Sequence, residues 1–254
     1  MLMISGIESF KEQFKDMVNQ YAIIGGTACD LLMSEVGVDF RATKDIDIVL
    51  IVESLTAEFG KCFWEYVISG GYEHKNKSTG ETQFYRFSHP SSSDYPFMIE
   101  LFSRKPDNFV LPDNAVLTPL PLDEELSSLS AILLDNNYYD FIKSGIIQID
   151  GVALLDAIHL IPLKAKAWAD LSGKKALNNV SVDSKDIKKH KNDIYRLTSL
   201  LNAEVQIKIP IEIYEDIQDF INAAKSDTVN LKQIGIRGMT ISDVIKRLQV
   251  AYIK

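Results

Sequence analysis

The sequence predicts an α+β protein in which a mixed β-sheet flanked by helices is followed by a mainly helical second half. Three short runs in the first hundred residues have the length of strands: 21–24, 45–52 and 97–102. They are apolar nearly throughout, a pattern typical of strands that helices bury on both faces. Between these runs, and over most of the chain after residue 150, apolar residues recur at helical spacing, which predicts amphipathic helices.

The first half alternates predicted helices and strands. Residues 6–20 place Ile7, Phe10 and Phe14 on one helical face, which predicts a helix that packs on the sheet. The run 21–24 ends on two glycines, and a helix is predicted directly after them. The remaining elements predicted for this half are helices over 27–36 and 55–69 and strands over 45–52, 83–87 and 97–102.

A stretch with four prolines, 105–123, is typical of a junction between domains. We therefore expect one domain over 1–110 and a mainly helical domain over 111–254. Pro162 is expected to lie between two helical stretches, either as a kink or as a first-turn residue, and Ser184 is expected to cap a long helix. The elements predicted for this half are strands over 126–134 and 146–149 and helices over 152–159, 163–171, 184–201, 211–224 and 242–251.

Composition excludes several classes of protein. The net charge of −8 argues against indiscriminate binding to nucleic acid. No apolar run approaches the roughly 20 residues that span a bilayer, and the polar N-terminal residues do not predict a signal peptide. Cys29 and Cys62 are too few for a disulfide framework and indicate reduced thiols. We therefore expect a cytoplasmic protein with no membrane segment.

Positive charge is concentrated between Lys164 and Lys191. Eight lysines and three aspartates give this segment a balance of +5, although the whole chain is acidic. Two interpretations are open. The lysines either form an ordinary solvated surface or neutralise an anionic ligand held by an acidic site elsewhere in the chain.

Three carboxylates are placed as metal ligands would be. Asp45 and Asp47 are two positions apart at the start of an apolar run, so on a strand both point to one face and repel each other. Glu100 lies inside another apolar run, where a charge without a counter-ion is strongly unfavourable. Hard carboxylate oxygens suit Mg²⁺ or Mn²⁺, so we expect the three to share a divalent cation. The alternative for Glu100 is a position at the sheet edge, facing water.

The first apolar run ends on Gly25-Gly26-Thr27, directly before a predicted helix. Free N–H groups and the helix dipole favour an anion at such a helix N-terminus. A place for phosphate close to metal ligands indicates chemistry on a nucleoside triphosphate.

A Gly-Gly turn that opens a helix, followed by Asp-x-Asp on a strand, resembles the signature of nucleotidyltransferases of the polymerase-beta-like superfamily. The stretch RATKDID, from Arg41 to Asp47, is similar to the Arg-x-Thr/Ser-x-Asp-x-Asp motif of their AbiEii-like branch. That branch is the toxin type of certain bacterial toxin–antitoxin systems. The resemblance implies a nucleotidyltransferase-type fold and Mg²⁺ or Mn²⁺ on Asp45, Asp47 and Glu100. The residues implied to bind the NTP are Gly25, Gly26, Thr27, Arg41, Thr43, Lys164 and Lys191.

Two stretches of the second half are similar to later motifs of the same branch. One is IPLKAKAWADL, which contains Lys164, and the other is KDIKKHKNDIYRLTSLL, which contains Asp193. The lysine that precedes the aspartate in the branch is Asn192 here, and the second aspartate of its motif is Arg196. The resemblance implies that Asp193 is a general base or orients the substrate. The alternative is an ion pair of Asp193 with Lys189 or Arg196 on the same helix.

Three hypotheses about function follow. The first is metal-dependent transfer of a nucleoside monophosphate from an NTP to the hydroxyl of a tRNA, a protein or a small molecule. Such an enzyme could act as the toxin of a toxin–antitoxin system, with a cognate antitoxin as partner, and its active site would lie between the two halves. The second is a non-catalytic module that binds a nucleotide or a partner. The third is a sugar-nucleotide glycosyltransferase, which does not need the Gly-Gly-Thr turn.

Overall fold

The structure is a computed structural model that describes residues 6–73, 84–102, 133, 135–177 and 182–254. The chain divides into two compact units. Among the described residues, the first unit holds the sheet and the helices that precede residue 103, and the second holds nearly all of the remaining helices. The expected domain boundary at residue 110, the proline-rich stretch and most of the strand predicted over 126–134 lie outside the described residues.

The first unit is built on a six-stranded mixed sheet, which confirms the predicted α+β class. Its strands are β1 (Tyr21–Ile24), β2 (Asp45–Leu50), β3 (Phe84–Ser88), β4 (Met98–Phe102), β5 (Ile146–Ile149) and β6 (Val152–Leu155). Their order in the sheet is β3-β4-β2-β1-β6-β5. The pairs β2–β4 and β1–β6 are parallel and the other pairs are antiparallel. The apolar strands β1 and β6 are completely buried, as expected for central strands.

Three helices accompany the sheet: α1 (Ile7–Phe14), α2 (Gly25–Glu35) and α3 (Ala57–Ser69). The apolar face of α1 joins a cluster of aromatic rings, in which Phe14 contacts Tyr21 of β1 and Phe59 of α3. The helix predicted over 6–20 is shorter than expected. After Phe14 the chain continues in turns, in which the Met17 amide donates to the Phe14 carbonyl.

The hairpin β5–β6 corrects the prediction for this part of the chain. A helix over 152–159 was expected, but Val152–Leu155 is a strand that pairs with β1. Asp150 and Gly151 both have positive φ, 48° and 80°, as the two-residue turn of a hairpin requires. Four consecutive apolar residues do not distinguish a buried strand from a turn of helix, so periodicity alone could not decide between them.

The second unit is mainly helical. Its helices are α4 (Asn136–Ser144), α5 (Ala157–Ala176), α6 (Ser184–Leu200), α7 (Ile211–Ala224) and α8 (Ile241–Ala251), with a 3₁₀ turn at Leu231–Ile234. Two short parallel strands that the sequence did not predict, β7 (Ile207–Lys208) and β8 (Tyr252–Ile253), pair with each other. The cap of α6 is Asp183 rather than Ser184, because the Asp183 carboxylate accepts from the Lys185 amide. No helix of the described residues is both long and apolar enough to cross a membrane.

Helix α5 continues through Pro162, so this proline is not the first-turn residue of a separate helix, which was one of the two expected alternatives. Proline has no N–H to donate to the carbonyl four residues earlier, which here belongs to Ile158. The hydroxyl of Tyr252 donates to that carbonyl at 2.7 Å, and Tyr252 is 1% exposed. Tyr252, which is distant in the sequence, therefore gives the Ile158 carbonyl the hydrogen bond that Pro162 cannot donate, and the helix continues.

The start of α5 is attached to the end of α4 through His159. Asp156 caps α5 by accepting from the His159 amide, and its carboxylate lies 2.7 Å from Nδ1 of the same histidine. The other ring nitrogen, Nε2, lies 3.2 Å from the hydroxyl of Ser144, the last residue of α4. Gly145 makes room for the ring, since a Cβ at this position would lie 2.1 Å from His159 Cγ.

Candidate active site

Strand β2 presents Asp45 and Asp47 on one face and buries the isoleucines that alternate with them on the other, as predicted. In the parallel pair β2–β4, Asp47 lies opposite Glu100. In the antiparallel pair β3–β4, Glu100 lies opposite Arg86. Because residues in register on neighbouring strands point to the same face, Asp47, Glu100 and Arg86 form a row across three strands. We refer to Asp45, Asp47 and Glu100 as the acidic cluster.

Glu100 is buried and bound to Arg86. Glu100 is only 6% exposed, so the alternative in which its side chain faces water at the sheet edge is wrong. Nε and Nη2 of Arg86 donate to Oε1 of Glu100 at 2.8 and 2.5 Å. Burial raises the pKa of Glu100 above its ordinary value. The charge and hydrogen bonds of Arg86, and a hydrogen bond with Asp47, oppose this rise, while the charge of Asp45 adds to it.

The Gly-Gly turn lies directly against the acidic cluster. Gly25 opens α2 with a φ of 68°, and a Cβ at this position would lie 1.7 Å from Oδ2 of Asp47. At Gly26 a Cβ would lie 3.0 Å from Oγ1 of Thr43 and 3.1 Å from Nη2 of Arg41. Only glycine leaves room for the Asp47 carboxylate at position 25. The structure thus brings together both glycines, Arg41, Thr43 and Asp47 at the N-terminus of α2.

The side chain of Thr27 is directed into the protein rather than toward a ligand. It is completely buried, and its hydroxyl donates to the backbone carbonyl of Asp45 at 2.6 Å. Its side chain therefore attaches the first turn of α2 to the front of β2. This contact helps to hold the Asp45 backbone in place relative to the glycine turn.

The acidic cluster has the donor chemistry of a site for Mg²⁺ or Mn²⁺, because it offers carboxylate oxygens on neighbouring strands. Asp45 and Asp47 are half-buried and share a strand face. In the described conformation Glu100 accepts both of its charged hydrogen bonds from Arg86 through one oxygen. Among the described residues, no three side chains of His, Cys, Asp or Glu are arranged to hold a metal ion. The three carboxylates therefore have suitable donor atoms, but in the described conformation they are not arranged as one three-carboxylate metal site, and Glu100 is oriented toward Arg86.

Two of the residues predicted from the second half, Lys164 and Asp193, lie in the second unit and contact each other. Nζ of Lys164 is 3.4 Å from Oδ2 of Asp193, which is completely buried. Oδ1 of Asp193 accepts from Nη1 of Arg196 at 3.2 Å, which confirms the alternative of an ion pair on the same helix. The guanidinium of Arg196 also lies 5.3 Å from the ring centre of Phe40.

Lys191 is likewise in an ion pair within the second unit. Its Nζ lies 2.8 Å from Oδ2 of Asp227, which also accepts from the hydroxyl of Tyr195 at 2.7 Å. Partial burial disfavours the Asp227 carboxylate, but the hydrogen bonds from Lys191 and Tyr195 and the charge of Lys191 outweigh it. The pKa of Asp227 is therefore lowered. Roles for Lys164, Lys191 and Asp193 in nucleotide binding or catalysis stay predictions.

Sequence reasoning missed Arg86. A signal was available, because Arg86 lies in the predicted strand over 83–87 that precedes the run containing Glu100. A buried glutamate is stable either beside a cation or in its protonated form. An arginine on an adjacent strand can be that cation. The pairing itself depends on the register of β3 on β4, which the local sequence does not reveal.

No protein-family profile matches the sequence, and no curated protein matches it. Among solved structures, the Megavirus polyadenylate synthase is similar to this chain, with 16% identity and a TM-score of 0.38. The similarity covers 87% of this chain and 37% of that chain, so this chain spans little more than a third of the viral protein's length.

Proposed function

We propose that the protein is a nucleotidyltransferase, which moves a nucleoside monophosphate from an NTP to an acceptor hydroxyl with the help of a divalent cation. One observation carries the proposal. The carboxylates of Asp45 and Asp47 share a strand face, and the Gly25-Gly26 turn with Arg41 lies directly against it. Carboxylates that suit Mg²⁺ and a helix N-terminus that suits phosphate therefore lie side by side.

In this proposal each group has a distinct task. Asp45 and Asp47 would hold the cation, and Arg41 would donate charged hydrogen bonds to phosphate oxygens beside the first N–H groups of α2. Thr27 would keep Asp45 at a constant distance from the turn through their hydrogen bond. When bound, Mg²⁺ would supply positive charge that stabilises the α-phosphate and makes the acceptor hydroxyl more acidic.

The reaction is a substitution at the α-phosphorus. The acceptor oxygen forms a bond to this phosphorus while the bond to the oxygen that bridges the α- and β-phosphates breaks. Pyrophosphate leaves with the electrons of that bond. The proton of the acceptor hydroxyl passes to a carboxylate of the acidic cluster, and water exchanges it afterwards.

The finer identity of the enzyme is supported by sequence alone. The motif RATKDID supports a place in the AbiEii-like branch, with a tRNA or a protein as acceptor and an antitoxin as partner. Expression of the chain in a bacterial host tests this. Growth arrest that Asp45→Asn abolishes would support a toxin, and normal growth at high expression would contradict it.

A non-catalytic module that binds a nucleotide is the second candidate. It is favoured by the hydrogen bonds from Arg86 to Glu100, because a carboxylate committed to arginine is less available as a metal ligand. The two candidates differ in one measurable respect. Both bind NTP with Mn²⁺, but only the enzyme transfers the nucleotide.

The test is label transfer from each of the four α-³²P-labelled NTPs, with Mg²⁺ or Mn²⁺, to total RNA, to a protein extract and to the chain itself. We expect one NTP to label one class of acceptor, and Asp45→Asn to abolish the label while circular dichroism stays unchanged. The matched control is Asp16→Asn, which changes an exposed carboxylate of the same unit. NTP binding without transfer to any acceptor would favour the non-catalytic module.

A further inference from the structure

The ring of Phe97 is half exposed at the end of the sheet where β2 and β4 begin. Phe97 is 46% exposed and directly precedes β4. Its amide donates to the carbonyl of Lys44, the residue before β2, at 3.2 Å. Met98, the next residue, lies opposite Asp45 in the register of β2 on β4. Phe97 therefore belongs to the sheet end at which the acidic cluster begins.

Two polar side chains flank this ring. The ammonium of Lys44 lies 5.9 Å from the centre of the Phe97 ring, within the range of a cation–π contact. The imidazole of His89 lies 5.5 Å from the same centre, with an interplanar angle of 68°. Nδ1 of His89 also lies 3.4 Å from Oε2 of Glu73 and 3.1 Å from the hydroxyl of Ser88. We refer to Lys44, His89 and Phe97 as the aromatic platform.

His89 has an uncommon backbone conformation. Its φ is 54°, in the left-handed region that residues other than glycine seldom adopt. Such a conformation is unfavourable by itself and persists where surrounding contacts hold it. Here it accompanies a ring placed edge-on against Phe97. The aromatic platform is thus held by local contacts, although all three of its residues are exposed to solvent.

An exposed aromatic ring beside a lysine suits a single-stranded polynucleotide. Unpaired bases stack on aromatic side chains with little regard to sequence, and lysine contacts the phosphates that join them. Exposure alone would not indicate such a ligand, since Ile68 of the same unit is 54% exposed. The indication comes from the ring, the cation and their position beside the acidic cluster taken together.

The aromatic platform and the acidic cluster lie on consecutive residues of the same two segments. Lys44 precedes Asp45, and Phe97 precedes the residue that pairs with Asp45. Because side chains alternate between the two faces along an extended chain, we expect a base stacked on Phe97 to lie across the sheet end from the carboxylates. That base would belong to a nucleotide other than the one whose hydroxyl reacts.

We propose that the aromatic platform holds an unpaired base of a single-stranded polynucleotide that serves as the acceptor. Phe97 stacks on the base, Lys44 contacts a neighbouring phosphate, and His89 supports the edge of the ring. This inference rests on the proposed function, because it names the class of acceptor for the nucleotide that the acidic cluster would transfer.

Fluorescence anisotropy with the whole chain, without NTP or metal, measures this binding. The probes are fluorescein-labelled RNA and DNA of one sequence, each a single strand of about 12 nucleotides, and the comparison identifies the preferred sugar. We expect at least one of them to bind. Phe97→Leu should weaken binding about tenfold, because leucine keeps the apolar bulk but offers no face on which a base can stack. Phe97→Tyr should bind like the wild type.

The role of Lys44 has its own signature. Lys44→Gln should reduce the slope of log affinity against log salt concentration by about 0.7, the value for one phosphate contact on a single strand. The matched controls lie on α3 of the same unit. Ile68→Ala removes an exposed apolar side chain and Lys61→Gln an exposed lysine, and both should leave the affinity and its salt dependence unchanged.

Two further measurements identify the occupant. Duplex RNA should compete poorly, because its bases are already stacked within the helix. Photocrosslinking of an iodouridine-substituted strand, followed by mass spectrometry, should identify the peptide that contains Phe97, and this test uses the wild-type chain. Binding of neither strand, equal competition by duplex RNA or unchanged affinity in Phe97→Leu would overturn the inference. Weaker NTP binding in Phe97→Leu would assign the ring to the base of the NTP and overturn it as well.

Failure of the proposed function gives a different result. If the chain binds a single strand through Phe97 but transfers no nucleotide, the transferase is refuted and the aromatic platform is left as a binding surface without an acceptor role. If the chain labels a protein or a small molecule but binds no single strand, the proposed function stands and this inference is refuted.

Discussion

Removal of the hydroxyl of Tyr252 should lower the unfolding free energy of the second unit, because it leaves the carbonyl of Ile158 without a donor. The amide that would normally serve this carbonyl is missing, since residue 162 is proline. The contact is 2.7 Å long, close to the most common length of an O–H···O hydrogen bond. Tyr252→Phe removes one oxygen atom and leaves the buried ring in place.

The magnitude follows from the burial of both groups. Tyr252 is 1% exposed and Ile158 is 9% exposed, so water does not readily replace the lost donor. A buried acceptor left without a partner costs about 1–3 kcal/mol. We therefore expect Tyr252→Phe to lower the unfolding free energy by about 2 kcal/mol. A solvent-accessible carbonyl would give a loss near zero.

Urea denaturation followed by tryptophan fluorescence measures this loss. The chain has two tryptophans: Trp64 lies in the first unit and Trp168 in the second. In a Trp64→Phe background, Trp168 alone reports on the second unit, and its ring packs edge-on against Phe220. Unfolding midpoints are compared between variants whose unfolding free energy has the same dependence on urea concentration, so that a shift of the midpoint reports a change in stability.

The background Pro162→Ala provides the decisive control. An alanine at position 162 restores an N–H that can donate to the Ile158 carbonyl, so Tyr252→Phe should then cost less than about 0.5 kcal/mol. Tyr214→Phe, on a half-exposed tyrosine of α7, should also have little effect. An equal cost of Tyr252→Phe with proline and with alanine at position 162 would refute the compensation.

Three further predictions concern other contacts. Thr27→Val should lower the stability of the first unit by about 1–3 kcal/mol in urea, because the carbonyl of Asp45 loses its donor; an unchanged midpoint would contradict the contact. Gly145→Ala should cost about 1–3 kcal/mol through overlap with the ring of His159, and less when that ring is also truncated. Asp227→Asn should destabilise the protein at neutral pH. Because folding lowers the pKa of this carboxyl, its contribution is complete above the ordinary value of 3.8 and is lost as the pH falls through the lower folded value. The stability difference from the wild type should therefore shrink in acid, and a constant difference would exclude an electrostatic origin.

The sequence was sufficient where a structural feature depends on residues close together in the chain. The spacing of Asp45 and Asp47 predicted a shared strand face, because side chains alternate along any strand. The helix over 211–224 was predicted with its observed ends, since its apolar residues recur at helical spacing. The turn at Gly25 and Gly26 was also predicted, because two glycines follow a short apolar run.

Predictions failed where a distant residue changed the outcome. Pro162 is a strong local signal for a kink or a helix start, but Tyr252, ninety residues later in the sequence, supplies a hydrogen bond that supports a continuous helix. The segment Val152–Leu155 was expected to be helical, yet β1 offers an edge with which it pairs. Local propensity is a small free energy, and a tertiary hydrogen bond or a strand pairing outweighs it.

The sequence by itself determined the chemical character of the candidate site, because carboxylates, glycines and an arginine at fixed spacing limit what can bind there. Only the tertiary structure decided which charges neutralise each other. The register of β3 on β4 pairs Arg86 with Glu100, and helix packing pairs Lys164 with Asp193. The free energy of a charge depends on the neighbours within a few ångströms, and those neighbours come from elements far apart in the chain.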